Sequence, residues 1–414
     1  MQGLRRLVLS AAIPSFGAIA LLFAGCNGSS GTNSSTSGGG GGGATGDEIL
    51  VGHYASMTGS EATFGVSTDN GIKLAIEERN AAGGVKGKKI RLITYDNQGK
   101  AQESVTTVTR LIQQDKVTAV IGEVASSRSL AGGPICQRYG VPMITPSSTN
   151  PDVTAIGDMI SRVCYIDPFQ GWVCAKVTTD TLKKTKAATL YNRAQAYHTG
   201  LNRNFIDAFT SMGGQIVSEQ AYSDGDNDFS AQITAIREAN PDVVFVPGYY
   251  TEIVNIARQA RRLGLNVPLM GGDGWDSEEL QNAGDALNGC YFSNHYSHED
   301  QAPAVQAFIK KYQAAYGKIP DGLAALGYDA ARVLFDAMDK AKSLDGKDLA
   351  AAIAATKGFP GVTRPIQVPR PLPNDQPRRR VERGDVVARA LFARENRPQR
   401  IRGFVHTVDL EIAE

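Results

Sequence analysis

None of the signatures that mark a catalytic centre is present in these 414 residues: there is no Gly-x-Ser-x-Gly elbow, no Walker A phosphate loop and no His-Glu-x-x-His pair. Excess charge is missing too. Lys and Arg number 43 against 42 Asp and Glu, a net +1, so no basic footprint for nucleic acid exists. Cysteine is sparse, five in all and none in a Cys-x-x-Cys pair, which excludes a zinc ribbon or dithiol motif. The spacings of Cys136, Cys164, Cys174 and Cys290 define no disulfide framework, and buried free thiols are expected. Two metal-like runs fall short. Asp224-Gly-Asp-Asn-Asp228 lacks the glycine and distal glutamate of a calcium loop and reads as a helix start, while His295-Tyr-Ser-His298 has no acidic or cysteine partner in pattern. No cofactor and no enzymatic activity are expected.

A long apolar run occurs at the N-terminus, from Leu7 to Phe23 behind Arg5-Arg6, interrupted by Ser10, Pro14 and Ser15. It is a poor membrane span but a good signal sequence, and its ending, Leu22-Phe-Ala-Gly-Cys26, resembles a bacterial lipoprotein signal with Cys26 as the lipidated residue. Residues 1–25 are then removed. Residues 26–46 follow as a tether of Gly, Ser, Thr, Asn and Ala that cannot bury a core and would span about 25 Å as a random coil. Lysine is absent again at the other end. From Phe359 to Glu414 there is none, against eleven arginines and seven prolines, so 359–414 reads as an atypical Arg/Pro-rich tail, with a reading-frame change near residue 363 as one explanation and a genuine basic extension as the other.

Between these ends apolar strands alternate with amphipathic helices. Strands are predicted over Ile49–Ala55, Lys89–Tyr95, Ala119–Gly122 and Pro142–Thr145, with helices Asp69–Ala82, Gln102–Asp115 and Ser127–Tyr139 between them. A second series, from the strand Ala187–Tyr191 to the strand Pro268–Gly271, repeats the pattern, and helices over Ala302–Tyr316 and Leu323–Ala341 return to the first unit. Such βαβ series imply two parallel sheets, hence two α/β lobes that can close about a hinge. Two strands end abruptly in hydroxyl clusters, Val120-Ile-Gly-Glu-Val-Ala-Ser-Ser-Arg-Ser129 and Val141-Pro-Met-Ile-Thr-Pro-Ser-Ser-Thr-Asn-Pro151, which brings Ser126 and Thr149 to one sheet edge. That edge is where open α/β sheets bind ligands, and hydroxyls with free N–H groups suit a carboxylate.

These two loops resemble the carboxylate-binding loops of the leucine/isoleucine/valine-binding type of periplasmic binding protein, the receptor of a branched-chain amino acid ABC importer. Gly59-Ser-Glu-Ala-Thr-Phe-Gly65, Ile166-Asp-Pro-Phe-Gln-Gly171, Pro241-Asp-Val-Val-Phe-Val-Pro-Gly-Tyr-Tyr250 and Gly271-Gly-Asp-Gly-Trp275 match in order, over about Ile49 to Thr363. The resemblance implies a type I periplasmic-binding-protein fold, two doubly wound lobes with a hinge and an interlobe cleft, lobe 1 from 47–167 and 299–358, lobe 2 from 168–298. It implies further that Ser126 and Thr149 hold a ligand carboxylate, that Ser147 offers its carbonyl and Asp273 its charge to the ammonium, and that Phe64, Tyr197, Tyr249 and Tyr250 line the pocket, with Trp275 closing it. Partners so implied are a small amino acid and ABC transporter permease subunits, with membrane attachment through lipid on Cys26 at the periplasmic or cell-surface side. Other readings stay open: a ligand sensor for a membrane partner, or a receptor for an amide, urea or aromatic acid.

Overall fold

The computed structural model describes residues 48–368 and the short strands at 391–393 and 405–406. Cys26, the tether and most of the Arg/Pro-rich tail lie outside the described residues. The first lobe is built on a parallel sheet in the order β2-β1-β3-β4-β5, formed by β1 (Glu48–Ala55), β2 (Lys89–Asp96), β3 (Ala119–Ile121), β4 (Met143–Thr145) and β5 (Ile160–Arg162). Its central strands are buried throughout, as a sheet covered by helices on both faces requires. Helix α1 (Ala62–Ala81) starts earlier than the expected Asp69 and includes Gly65. A Cβ there would fall 2.2 Å from Ser56 O, so the helix can approach the end of β1 only with glycine at this position. Helices α2 (Ala101–Gln113) and α3 (Ser126–Tyr139) complete this half.

The second lobe repeats the design. Strands β6 (Lys186–Asn192), β7 (Gln215–Tyr222), β8 (Val243–Phe245), β9 (Leu269–Gly271) and β10 (Tyr291–Asn294) pair in parallel in the order β10-β9-β8-β6-β7. Helices α4 (Asp167–Lys176), α5 (Ala196–Ser211), α6 (Ser230–Glu238) and α7 (Tyr250–Arg262) belong to it. The chain then returns through α8 (Pro303–Tyr316), α9 (Gly322–Lys340) and α10 (Gly346–Ala354), whose buried faces join the core of the first lobe with α1. Both sheets have the doubly wound order whose switch point opens a crevice beyond the strands' carboxyl ends.

Packing of the first lobe continues beyond α10. The hairpin β11 (Phe359–Pro360) and β12 (Pro365–Ile366) is tied to α9, with Val362 N and Thr363 N donating to Asp329 at 2.8 and 2.9 Å, and Ile366 and Val368 are buried in the first lobe's core. The core therefore continues past the change of composition at Phe359. Strands β13 (Leu391–Ala393) and β14 (Val405–His406) extend the second sheet antiparallel from β10, with Ser293 opposite Phe392. Cys136, Cys164 and Cys174, expected as free thiols, are free and buried, and Cys290 is buried as well.

Candidate functional site

The loop after β3 is fixed by a buried carboxylate. Glu123 accepts from Ser56 Oγ at 2.7 Å, Asn97 Nδ2 at 3.0 Å and its own loop's Ala125 N–H at 2.6 Å, so two neighbouring strands pin the turn that begins α3. Ser126 is the first residue of that helix, where free N–H groups and the positive end of the dipole favour an anion. The loop after β4 is held from beneath. The buried guanidinium of Arg162 donates to Ser148 O, Asn150 O, Pro151 O and Thr154 Oγ1 at 2.5, 2.8, 3.3 and 2.9 Å. Asn150 N–H donates to Ser126 Oγ at 3.2 Å, joining the two loops beside Thr149.

Opposite them stands the second lobe. Asp273 projects from the turn after β9, between two closely packed glycines: a Cβ on Gly272 would fall 2.4 Å from Tyr197 OH and one on Gly274 2.6 Å from Gly248 O. Its carboxylate accepts from Tyr197 OH at 2.9 Å and Gln170 Nε2 at 2.8 Å through Oδ1, while Oδ2 lies 3.0 Å from His295 Nε2. Tyr249 stacks on Tyr197 at 5.4 Å and meets the edge of Phe64 at 5.4 Å. Behind it His198 touches the Tyr249 ring at 4.6 Å, and burial pushes its imidazole down to about 3, leaving it neutral.

Phe64, Val124, Ser126, Ser147, Tyr197, Tyr249, Asp273, Gly274 and Leu323 enclose a pocket with about 260 Å³ of atom-free space. Six of the eight expected ligand-binding residues thus come together. Thr149 and Tyr250 are buried but do not line the pocket; Tyr250 packs on Phe64 at 4.9 Å and donates to Ser60 O at 2.7 Å. Trp275 was expected to close the pocket and does not. Its indole turns into the second lobe's core and donates to Val246 O at 3.0 Å, which satisfies its N–H there. Ser147 Oγ and Tyr249 OH are buried without a hydrogen-bond partner among the described residues, two polar atoms facing a pocket. Gln170, His295 and Arg162 were not foreseen as part of the site. His295 had a visible signal, its place directly after a strand in Asn294-His-Tyr-Ser; Arg162 had none.

The lobes are closed on this pocket. Ala196 N donates to Ser127 Oγ at 2.9 Å, Asn150 Nδ2 to Ala196 O at 2.9 Å, and Gly322 N to Asp276 Oδ2 at 2.7 Å, all from one lobe to the other. The last contact has a pH consequence. Asp276 of the second lobe enters beside Asp321, whose carboxylate caps α9 through Ala324 N at 2.8 Å and accepts from Ser67 Oγ at 2.5 Å. Burial, and then the Asp276 charge, push Asp321 up to about 7, and burial raises Asp276 as well. A carboxyl raised on folding binds its proton more tightly in the native state, so stability falls as pH rises from about 4, the unfolded value, to about 7. Thermal melts of the wild type should lose midpoint across that window, and Asp276→Asn, which can still accept from Gly322, should flatten the loss. Parallel profiles for the two proteins would show that the pair is not responsible.

Two facing lobes with this sheet order and a buried, polar-ended pocket define a solute-binding protein of the two-lobe type. Residues 48–381 match the family described as periplasmic binding protein, and the chain belongs to that family. It is a binding protein and not an enzyme. Among its relatives, the leucine-specific-binding protein of Salmonella typhimurium is 33% identical over 315 residues, 75% of this chain and 84% of that one. The leucine binding protein LivK of Thermotoga maritima superposes with a TM-score of 0.78 at 36% identity, over 86% of this chain and 97% of that one. LivJ of Streptococcus pneumoniae, solved in complex with isoleucine, gives a TM-score of 0.76 at 31% identity, over 86% and 99%. Among the described residues no helix is long and apolar enough to cross a membrane.

Proposed function

We propose that this chain is the extracytoplasmic receptor of an ABC importer and binds an aliphatic, branched-chain L-amino acid between its lobes. The observation that carries the reading is the pairing, across one small pocket, of a helix N-terminus with hydroxyls on one lobe and a buried carboxylate on the other. An α-amino acid is the ligand that needs both at once. Ser126 and the adjoining Thr149 loop receive the carboxylate, Ser147 offers its carbonyl and Asp273 its charge to the ammonium group, and Phe64, Val124, Leu323 and Tyr249 surround the side chain. Tyr197 holds Asp273 in place, and Tyr250 acts as the support behind Phe64. The leucine and isoleucine proteins among the relatives favour the same ligand class.

The test is a thermal shift with L-leucine, L-isoleucine and L-valine beside a neutral amide and benzoate. At a hundredfold its Kd a ligand raises stability by about 2.7 kcal/mol, a shift of several degrees. A response to the amide or benzoate, with none to the three amino acids, would overturn the ligand assignment.

Lipid on Cys26 belongs to the same proposal, since the residues before it suit signal cleavage and those after it suit a tether. Three acyl chains exceed the two signals that stable anchoring requires. Cys26→Ser should move the protein from the membrane fraction to the soluble one; a variant that stays bound through a carbonate wash would refute the anchor.

A further inference from the structure

The two lobes are linked by residues 163–166 between β5 and α4 and by residues 295–302 between β10 and α8. Side chains of the two links meet at the floor of the pocket. His295, the first residue beyond β10, turns Nε2 towards Asp273 Oδ2 at 3.0 Å and lays its ring on Tyr165 of the other link, with centroids 3.5 Å apart and planes inclined by 18°. Tyr165 OH accepts from Gln170 Nε2 at 3.0 Å, and that same amide group lies 2.8 Å from Asp273 Oδ1 and 2.9 Å from Ser293 Oγ. Arg364, ahead of β12, sits 6.0 Å from the Tyr165 ring centroid and donates to Val163 O at 3.2 Å. Asp273, His295, Tyr165 and Gln170 thus form a closed, buried ring of contacts that joins the acidic group of the pocket to the hinge.

We infer that His295 is a positioning residue: it fixes the Asp273 carboxylate for a cationic ligand group and ties that carboxylate to the segments about which the lobes turn. The inference rests on the reading of Asp273 as the ammonium's partner. A carboxylate offers roughly four lone-pair positions. Tyr197, Gln170 and His295 take three, which leaves one aimed by the other three. The geometry needs Nε2–H as donor, which both the neutral Nε2–H tautomer and the imidazolium supply, and burial favours the neutral form with Nδ1 bare. Burial lowers the affinity of His295 for a second proton, Asp273 opposes this, and the Arg364 charge adds to the lowering. Asp167 at the start of α4 and Asp276 beyond the Asp273 turn are the remaining acidic groups around this ring, and burial raises both. Protonated His295 would neutralise Asp273 and compete with the ligand's ammonium. Affinity should therefore be constant above the His295 transition, which lies below the ordinary 6.5, and fall as pH drops through it.

The experiment titrates L-leucine, by calorimetry, into the full chain and its His295→Gln and His295→Leu variants between pH 5 and 8. His295→Leu should bind leucine about tenfold to a hundredfold more weakly, and His295→Gln, which keeps an N–H donor, within about threefold of wild type. The weakening of the wild type in acid, at the lowered His295 transition, should be absent in His295→Gln. 4-Methylpentanoate, the same skeleton without the amine, should bind all three alike. Nitrogen-15 spectra of the ligand-free protein should show His295 as the Nε2–H tautomer. Unchanged leucine binding by His295→Leu, an acid limb retained in His295→Gln, or an Nδ1–H tautomer would overturn the inference. A wild type that ignores leucine yet shows the Nε2–H tautomer, lost in Asp273→Asn, would overturn the proposed ligand and support the ring. Should His295→Leu fail to fold, the His295→Gln pH profile decides.

Discussion

Asp273→Ala is expected to weaken L-leucine binding by about 2–5 kcal/mol, because truncating one partner of a buried, hydrogen-bonded charge pair leaves the other charge desolvated and alone. The residue is 5% exposed and both of its carboxylate oxygens are already held, so solvent cannot substitute for it. Asp273→Asn should lose less, since one oxygen can still accept from Tyr197 and Gln170 while the charge is gone. The informative control is 4-methylpentanoate, which carries the carboxylate and the branched chain but no ammonium group. Its affinity should be nearly unaffected by either substitution. An equal loss for both ligands would mean that Asp273 acts by shaping the second lobe rather than by pairing with a cation, and no loss for leucine would remove it from the site.

The parts of the site that the sequence discloses are those that combine a local signal with a place in the sheet. Ser126 and Ser147 end short apolar strands in hydroxyl clusters, and the strand edge they occupy is fixed by the βαβ alternation alone. Asp273 is legible only through the family resemblance of Gly271-Gly-Asp-Gly, since glycines on both sides read by themselves as a turn; in the structure Tyr197 OH and Gly248 O lie where their Cβ atoms would fall. Tyr249 and Trp275 show the limit. Both follow strands in glycine-rich turns, yet one faces the pocket and the other the core, a choice set by one rotamer and an acceptor at Val246 O that lies 29 residues away. His295 was visible as a residue but not as a partner, since its contacts to Asp273 and Tyr165 span 22 and 130 residues of chain, differences given directly by the numbering. Strand β5 escaped altogether. Ile160-Ser-Arg162 offers a polar residue and a cation where a buried strand should be apolar, and only the carbonyls of the preceding loop make an arginine tolerable there.

That arginine is the site of the second large effect. Arg162 is 1% exposed, and burial lowers its proton affinity below the ordinary guanidinium value, yet it stays because the loop over Ser148–Thr154 meets it with three carbonyl oxygens and a hydroxyl. Arg162→Met fills similar space but leaves those acceptors buried without donors. Removing one side of such a buried polar set costs about 3–5 kcal/mol, so the melting temperature should drop by on the order of ten degrees. Arg162→Lys should recover only part of the loss, because one ammonium cannot reach acceptors arranged around a planar fork. The same change reaches ligand binding through two routes. It frees the loop that carries Ser147 and Thr149, and it removes the positive charge that opposes the rise of Asp167, whose carboxyl burial already pushes up to about 8. Leucine should then bind more weakly to Arg162→Met even well below its melting temperature, with the loss shared by 4-methylpentanoate, since the damaged loop serves the carboxylate. Loss of leucine with 4-methylpentanoate unchanged would place the effect at the ammonium end and refute this account of Arg162; a melting temperature equal to wild type would show that the four contacts contribute nothing to the fold.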